Sequence, residues 1–209
     1  MKTLLISAKS KENIMPVVIK SLRLLPKKIG LITTIQFVDQ LPKVKKFLES
    51  KNKKVVIGGQ ILGCNVKSAE KIDKKIDAFF YIGSGYFHPI AVKLATNKEV
   101  IIANPLENSV SKVNEADIKR LKAKKKTALI KFYSAKNIGI LVTTKPGQQY
   151  LKKATELKAK LKDKQCYIFI SDTIDLNDLE NYPFIDSWVN TACPRLSDYS
   201  SNIINIEEL

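Results

Sequence analysis

A chain of 209 residues, 44% of them hydrophobic and 27% charged, can bury one large core or two of ordinary size, which excludes an intrinsically disordered protein. Its formal charge of +16 is carried almost wholly by lysine, the only arginines being Arg23, Arg120 and Arg195, so arginine-fork reading of nucleic acid is not expected and the charge reads as a lysine-coated surface. No apolar run approaches the roughly 20 residues of a membrane span, and Met1 to Ser7 is too short for a signal segment, so a cytoplasmic protein without membrane contact is expected.

Thr3 to Ser7 predicts a short strand, followed by a helix over Glu12 to Leu24 that stops at Pro26. Ile29 to Thr33 predicts a second strand, Thr33-Thr34 a helix start, and Phe37 to Ser50 an amphipathic helix. Val55-Val56-Ile57 is a strand running into a glycine-rich turn, Gly58 to Asn65. Ser68 to Lys75 predicts a short helix, Ala78 to Ile82 a strand, and Gly83-Ser84-Gly85 another strand-exit turn. Pro89 to Thr96 is helical, and Val100 to Ala103 is a strand ended by Asn104-Pro105. Asn114 to Ala135 predicts a long, lysine-rich connector helix. Beyond it come a strand over Ile138 to Val142, a turn over Thr143 to Gln148, and a helix over Tyr150 to Leu161. Cys166 to Ile170 is a strand, Asn177 to Asn181 a short helix and Ser187 to Asn190 a strand, with Ser197 to Leu209 irregular.

Continuous apolar strands alternating with helices indicate an α/β fold of parallel sheets flanked by helices on both faces. The two parts of the chain also resemble one another. Ile29-Gly30-Leu31-Ile32 lies 109 positions before Ile138-Gly139-Ile140-Leu141, and Ile76-Asp77-Ala78-Phe79 lies 109 positions before Ile185-Asp186-Ser187-Trp188. One offset joining two separated matches predicts two duplicated Rossmann-like units, a domain over residues 1–113 and a connector helix with a second domain over 114–209. By this offset the Gly83-Ser84-Gly85 turn corresponds to Ala192-Cys193-Pro194.

Ligands of open parallel sheets bind outside the carboxyl ends of the strands. Five strand exits here have unusual chemistry: Thr33-Thr34-Ile35-Gln36, Gly63-Cys64, Gly83-Ser84-Gly85, Thr143 to Gln148, and Ala192 to Arg195. Their glycines allow close backbone approach, while Thr33, Thr34, Ser84, Thr143, Gln36 and Gln148 offer neutral hydrogen bonds. Neither a dinucleotide fingerprint nor a P-loop occurs, so a dinucleotide or nucleoside triphosphate is not favoured. Three cysteines, an odd number, argue against a disulfide framework and leave metal binding, redox chemistry or core packing open for Cys64 and Cys193. Cys166, inside an apolar run, is expected in the core, as are Phe79, Phe80 and Trp188, and the lysines of 119–126 are expected on a solvated helix face. His88, the sole histidine, has no adjacent nucleophile pattern, and no catalytic side chain is singled out.

Lys28 to Phe37, Ile61 to Cys64, Ala78 to Pro89, Gly139 to Gln148 and Val189 to Leu196 together resemble, in order, the archaeal 2-(3-amino-3-carboxypropyl)histidine synthase family, which begins diphthamide synthesis. The resemblance implies three similar Rossmann-like domains, each giving one cysteine to a shared 4Fe-4S cluster that binds S-adenosylmethionine. Reductive cleavage then yields a 3-amino-3-carboxypropyl radical, which adds to C2 of a histidine of elongation factor 2. Carried over, Cys64 and Cys193 resemble the ligands of the family's middle and last domains. Gly83, Ser84, Gly85, His88, Thr143, Gly147 and Gln148 lie in motifs resembling those around the cofactor crevice, and Thr33, Thr34 and Gln36 are expected beside them. The family's first domain is not present in these residues. The expectation is therefore the carboxy-terminal portion of a split or dissected synthase, with a separate amino-terminal chain supplying the third cysteine and homo- or hetero-oligomerisation accompanying it. A non-catalytic scaffold subunit and a Rossmann-like binding module without a cluster are the alternatives.

Overall fold

The structure, a computed structural model, describes residues 6–209. The strand expected over Thr3 to Ser7 lies outside them except for Ile6 and Ser7, which belong to no regular element. Two compact units divide between Ile118 and Lys119.

Unit one contains α1 (Met15–Ser21), β1 (Lys28–Thr33), α2 (Leu41–Ser50), β2 (Lys54–Gln60), α3 (Lys67–Glu70), β3 (Ala78–Ile82), α4 (Phe87–Thr96), β4 (Glu99–Asn104) and β5 (Ser109–Lys112). Its sheet runs β2-β1-β3-β4-β5, with the first four strands parallel and β5 antiparallel on β4. Every residue of β3 is buried because side chains of alternate residues enter different cores. Phe80 and Ile82 join Val17, Val18, Leu41 and Val44 of α1 and α2, while Phe79 and Tyr81 join Ala69 of α3 and Val92 of α4.

The helix expected over Glu12 to Leu24 is shortened at both ends to α1. Pro16 stands in its first turn, and a proline disfavours helical backbone in the residue before it, so the segment from Glu12 stays irregular. The turn expected to begin at Gly58 starts later, because β2 continues through Gln60. Gly58 is an extra residue in the pairing, since Leu31 faces Ile57 and Ile32 faces Gly59. The resulting bulge bends β2 where it leads to Cys64.

α5 (Glu115–Ser134) continues across the division. Unit two then holds β6 (Asn137–Thr143), α6 (Leu151–Lys160), β7 (Gln165–Ser171), β8 (Ser187–Asn190) and β9 (Ile203–Asn205) in one parallel sheet ordered β7-β6-β8-β9. This repeats the order β2-β1-β3-β4. The offset of 109 holds atom by atom at the strand starts. Asp77 Oδ2 accepts the Lys28 N–H at 3.0 Å, and Asp186 Oδ2 accepts the Asn137 N–H at 2.8 Å.

β5 and β9 were not expected from sequence. β9 corrects the irregular reading of Ser197 to Leu209, which also contains a 3-10 turn over Ile206–Glu208. Two isoleucines between asparagines are too short to show a period, and pairing with β8 makes them a strand.

Candidate functional site

In unit one, β2, β1 and β3 are adjacent and parallel, so the residues following them share one edge of the sheet. That edge gathers Thr33, Thr34, Gln36, Cys64, Gly83, Ser84, Gly85 and, at the start of α4, His88. In unit two, β6 and β8 are likewise adjacent and parallel, which puts Thr143, Gly147, Gln148 and Cys193 on the equivalent edge.

Cys64 is exposed and stands third in the turn Leu62-Gly63-Cys64-Asn65, closed by the Asn65 N–H donating to the Leu62 carbonyl at 3.0 Å. Gly63 takes φ +56 there, a left-handed conformation that favours glycine and lets the chain reverse just before the thiol. The turn is anchored at its flanks: the Ile61 N–H donates to Thr33 O at 2.8 Å, and Ser68 Oγ donates to Gln60 O at 2.8 Å.

Cys193 is half-buried in extended backbone (φ −65, ψ 120) immediately before a 3-10 turn that opens with Pro194. Two buried asparagines hold this segment. Asn190 Nδ2 donates to Cys193 O at 2.8 Å and to Asn205 Oδ1 at 2.7 Å, while Asn190 Oδ1 accepts the Ala192 N–H at 2.9 Å. Asn205 Nδ2 in turn donates to Pro194 O at 3.1 Å and Ser197 Oγ at 2.8 Å. Sequence reasoning missed both asparagines, one hidden in an apolar strand and the other in a segment read as irregular.

Of the three threonines expected to offer hydroxyls, Thr33 and Thr143 direct their hydroxyl protons to neighbouring carbonyls. Thr33 Oγ1 donates to Ile82 O at 2.6 Å and Thr143 Oγ1 to Asp172 O at 2.7 Å, and both residues are buried, so they tie neighbouring strand exits together. Thr34 is half-buried, with its hydroxyl donating to Oε1 of the exposed Gln36. Ser84, Gly85 and Gly147 are exposed and Gln148 is half-buried.

Tyr81, also missed from sequence, is fully buried beneath the Gly83-Ser84-Gly85 turn. Its hydroxyl lies 3.4 Å from both Ser84 O and His88 Nδ1, and its ring stacks on the imidazole with centroids 6.0 Å apart. Burial pushes the Tyr81 phenol up to about 12 and pulls the His88 imidazole below its ordinary value, so both are neutral near pH 7.

Cys166 lies in the core under α5 and α6, as expected, and burial pushes its thiol up. No cysteine is in a disulfide, and among the described residues no three His, Cys, Asp or Glu side chains are grouped to hold a metal ion. Thiolates are the usual ligands of iron–sulfur clusters, and Cys64 and Cys193 have the donor chemistry and loop placement that such a group requires. Among the described residues no helix is long and apolar enough to cross a membrane.

Residues 1–205 match the family model for diphthamide synthesis proteins. The 2-(3-amino-3-carboxypropyl)histidine synthase of Pyrococcus horikoshii is 33% identical over 204 residues, covering 91% of this chain and 56% of that protein. Its namesake from Methanocaldococcus jannaschii is 30% identical over 179 residues, covering 83% of this chain and 47% of the relative. The human synthase subunit 1 is 29% identical over 178 residues, covering 81% and 40% respectively. The chain thus spans about half the length of the curated relatives it matches. The crystal structure of Dph2 from Pyrococcus horikoshii with a 4Fe-4S cluster superposes with a TM-score of 0.82 at 27% identity, over 96% of this chain and 62% of that one.

Proposed function

The chain belongs to the diphthamide synthesis protein family, and from that premise we propose that it works in the first step of diphthamide biosynthesis. There the 3-amino-3-carboxypropyl group of S-adenosylmethionine is transferred to C2 of a histidine of elongation factor 2. The observation that carries this reading is the placement of Cys64 and Cys193, each in the loop after a parallel strand, in a chain similar to a protein whose structure holds a 4Fe-4S cluster.

In this reading Cys64 and Cys193 are two ligands of that cluster, and protein beyond these residues supplies the third. When bound, the cluster supplies a redox-active iron at which a sulfonium can be reduced in a radical mechanism. The chain's own part is positioning. Thr34, Gln36, Ser84, His88 and Gln148 offer side-chain hydrogen bonds to S-adenosylmethionine, with Gly83, Gly85 and Gly147 admitting it close to the backbone. Thr33 and Thr143 hold the frame through their hydrogen bonds to Ile82 O and Asp172 O. Protein substrate and partner chain both approach the strand-exit edges.

Anaerobic purification of the chain, alone and with a candidate amino-terminal partner, followed by iron and sulfide quantification and an assay for modified elongation factor 2, tests the proposal. A full cluster and product are expected only with the partner, and both are lost in Cys64→Ser and Cys193→Ser. If the chain alone assembles a 4Fe-4S cluster and cleaves S-adenosylmethionine, the shared-ligand reading fails. Unchanged product with both serine variants would instead assign the chain a scaffold role.

A further inference from the structure

The same hydrogen bond recurs at the exits of β3 and β8, and it identifies a positioning residue in unit one. Asn190, the last residue of β8, reaches forward to the carbonyl three residues on, Cys193 O at 2.8 Å. Its counterpart 109 positions earlier is Tyr81, which reaches forward in the same way to Ser84 O at 3.4 Å. In unit two the gripped residue is a candidate cluster ligand. In unit one it is a serine, and the gripping side chain has a second neighbour, His88 Nδ1, at 3.4 Å.

A phenol has one proton to donate. With that proton directed to Ser84 O, a hydrogen bond to Nδ1 requires the imidazole to be the donor and the phenol oxygen the acceptor. Both groups are neutral near pH 7, so only one ring nitrogen carries hydrogen, and a phenol proton kept on Ser84 O leaves that hydrogen to Nδ1. Nε2 then keeps its lone pair, and among the described residues it has no hydrogen-bond partner. His88 is half-buried in the first turn of α4. The two 3.4 Å separations are long for hydrogen bonds.

We propose that Tyr81 is a positioning residue that fixes His88 as the Nδ1–H tautomer, so that Nε2 is offered as an acceptor to an N–H or O–H donor of the molecule bound at the strand exits. This rests on the reading that S-adenosylmethionine binds there; its ammonium, ribose hydroxyls and adenine amino group are donors of that kind.

His88 is the only histidine in the chain, so its ring nitrogens can be assigned without ambiguity. Long-range proton–nitrogen spectra of the histidine-labelled chain, recorded where the imidazole is neutral, are expected to show Nδ1 protonated and Nε2 bare. Tyr81→Phe, which deletes one oxygen, is expected to move the proton to Nε2 while the amide spectrum stays dispersed. A wild-type spectrum with the proton on Nε2 overturns the proposal, and so does a folded Tyr81→Phe chain that keeps it on Nδ1. The wild-type spectrum decides even if the variant does not fold.

In the reconstituted synthase, His88→Gln carries an amide oxygen that reaches towards the Nε2 position, whereas His88→Asn stops short at Nδ1. The KM for S-adenosylmethionine is expected to be roughly tenfold or more higher for the Asn variant than for the Gln variant. Equal values overturn the acceptor role. The tautomer is read without cluster, cofactor or turnover, so its failure is distinct from failure of the functional reading, which the iron and product assays register.

Discussion

The indole of Trp188 fills the space that a side chain at Gly139 would need: a Cβ built there stands 2.3 Å from two carbons of the ring. The counterpart pair 109 positions earlier, Phe79 and Gly30, is looser, with a Cβ on Gly30 meeting Ile76 Cδ1 at 2.5 Å and the Phe79 ring at 3.0 Å. Methyl tips can rotate away, but an indole packed against Phe169 and Tyr182 cannot. Gly139→Ala is therefore expected to destabilise unit two by about 3 kcal/mol, the upper end of overpacking costs, and Gly30→Ala to cost about 1 kcal/mol. Denaturant titrations measure both. Combining Gly139→Ala with Trp188→Leu should cost less than the two single changes summed, because the larger side chain is what the new methyl strikes.

Asp186 anchors the start of β6 through its hydrogen bonds from the N–H groups of Asn137 and Lys136. These bonds, with Asn137 the larger influence, hold its carboxyl below the usual carboxylate range. A depressed folded-state value means stability that is fully present above the unfolded-state value of about 3.9 and is lost as pH falls through the lower folded-state one. The group is exposed, so solvent screening keeps the effect small. Stability curves of wild type and Asp186→Asn should converge as pH drops from 5 towards about 2, with the wild type ahead only at the upper end. Parallel curves would show that the anchor carries no proton linkage.

Burial orders the three thiols. Cys64 is exposed, Cys193 half-buried, and Cys166 buried with its thiol pushed up. Brief alkylation of the cluster-free chain, mapped by mass spectrometry, should label Cys64 first and Cys193 second. Cys166 should react only after denaturation. Early labelling of Cys166 would contradict its place in the core of unit two.

Asn190 satisfies three partners, so its loss leaves Cys193 O and Asn205 Oδ1 without their donor. Asn190→Ala is expected to cost about 1 to 3 kcal/mol and to raise the alkylation rate of Cys193 relative to Cys64. Asn190→Asp should be worse than Asn190→Ala, because it sets a carboxylate against the same two oxygens in a buried site. A Cys193 rate unaltered by either change would mean that the loop holds its shape without the asparagine.

Both sheets were legible in the sequence because β1, β3, β4, β6 and β7 are built around continuous apolar runs, which indicate strands of parallel sheets. The offset of 109 was legible because a glycine inside β1 and β6 and an aspartate just before β3 and β8 recur at fixed places, and the structure gives both a cause: Gly139 makes room for Trp188, and Asp186 caps the start of β6. The location of Cys166 in the core followed from its apolar neighbours. Tertiary structure alone decided the rest. β5 and β9 are too short to carry a periodicity and exist through pairing with β4 and β8. Thr33 and Thr143 point their hydroxyls inward because carbonyls of adjacent strand exits are within reach there, a direction set by strand register rather than residue type. Tyr81, Asn190 and Asn205 became recognisable only once their partners were brought beside them, since a polar group in an apolar run has no visible role until the fold supplies what it bonds.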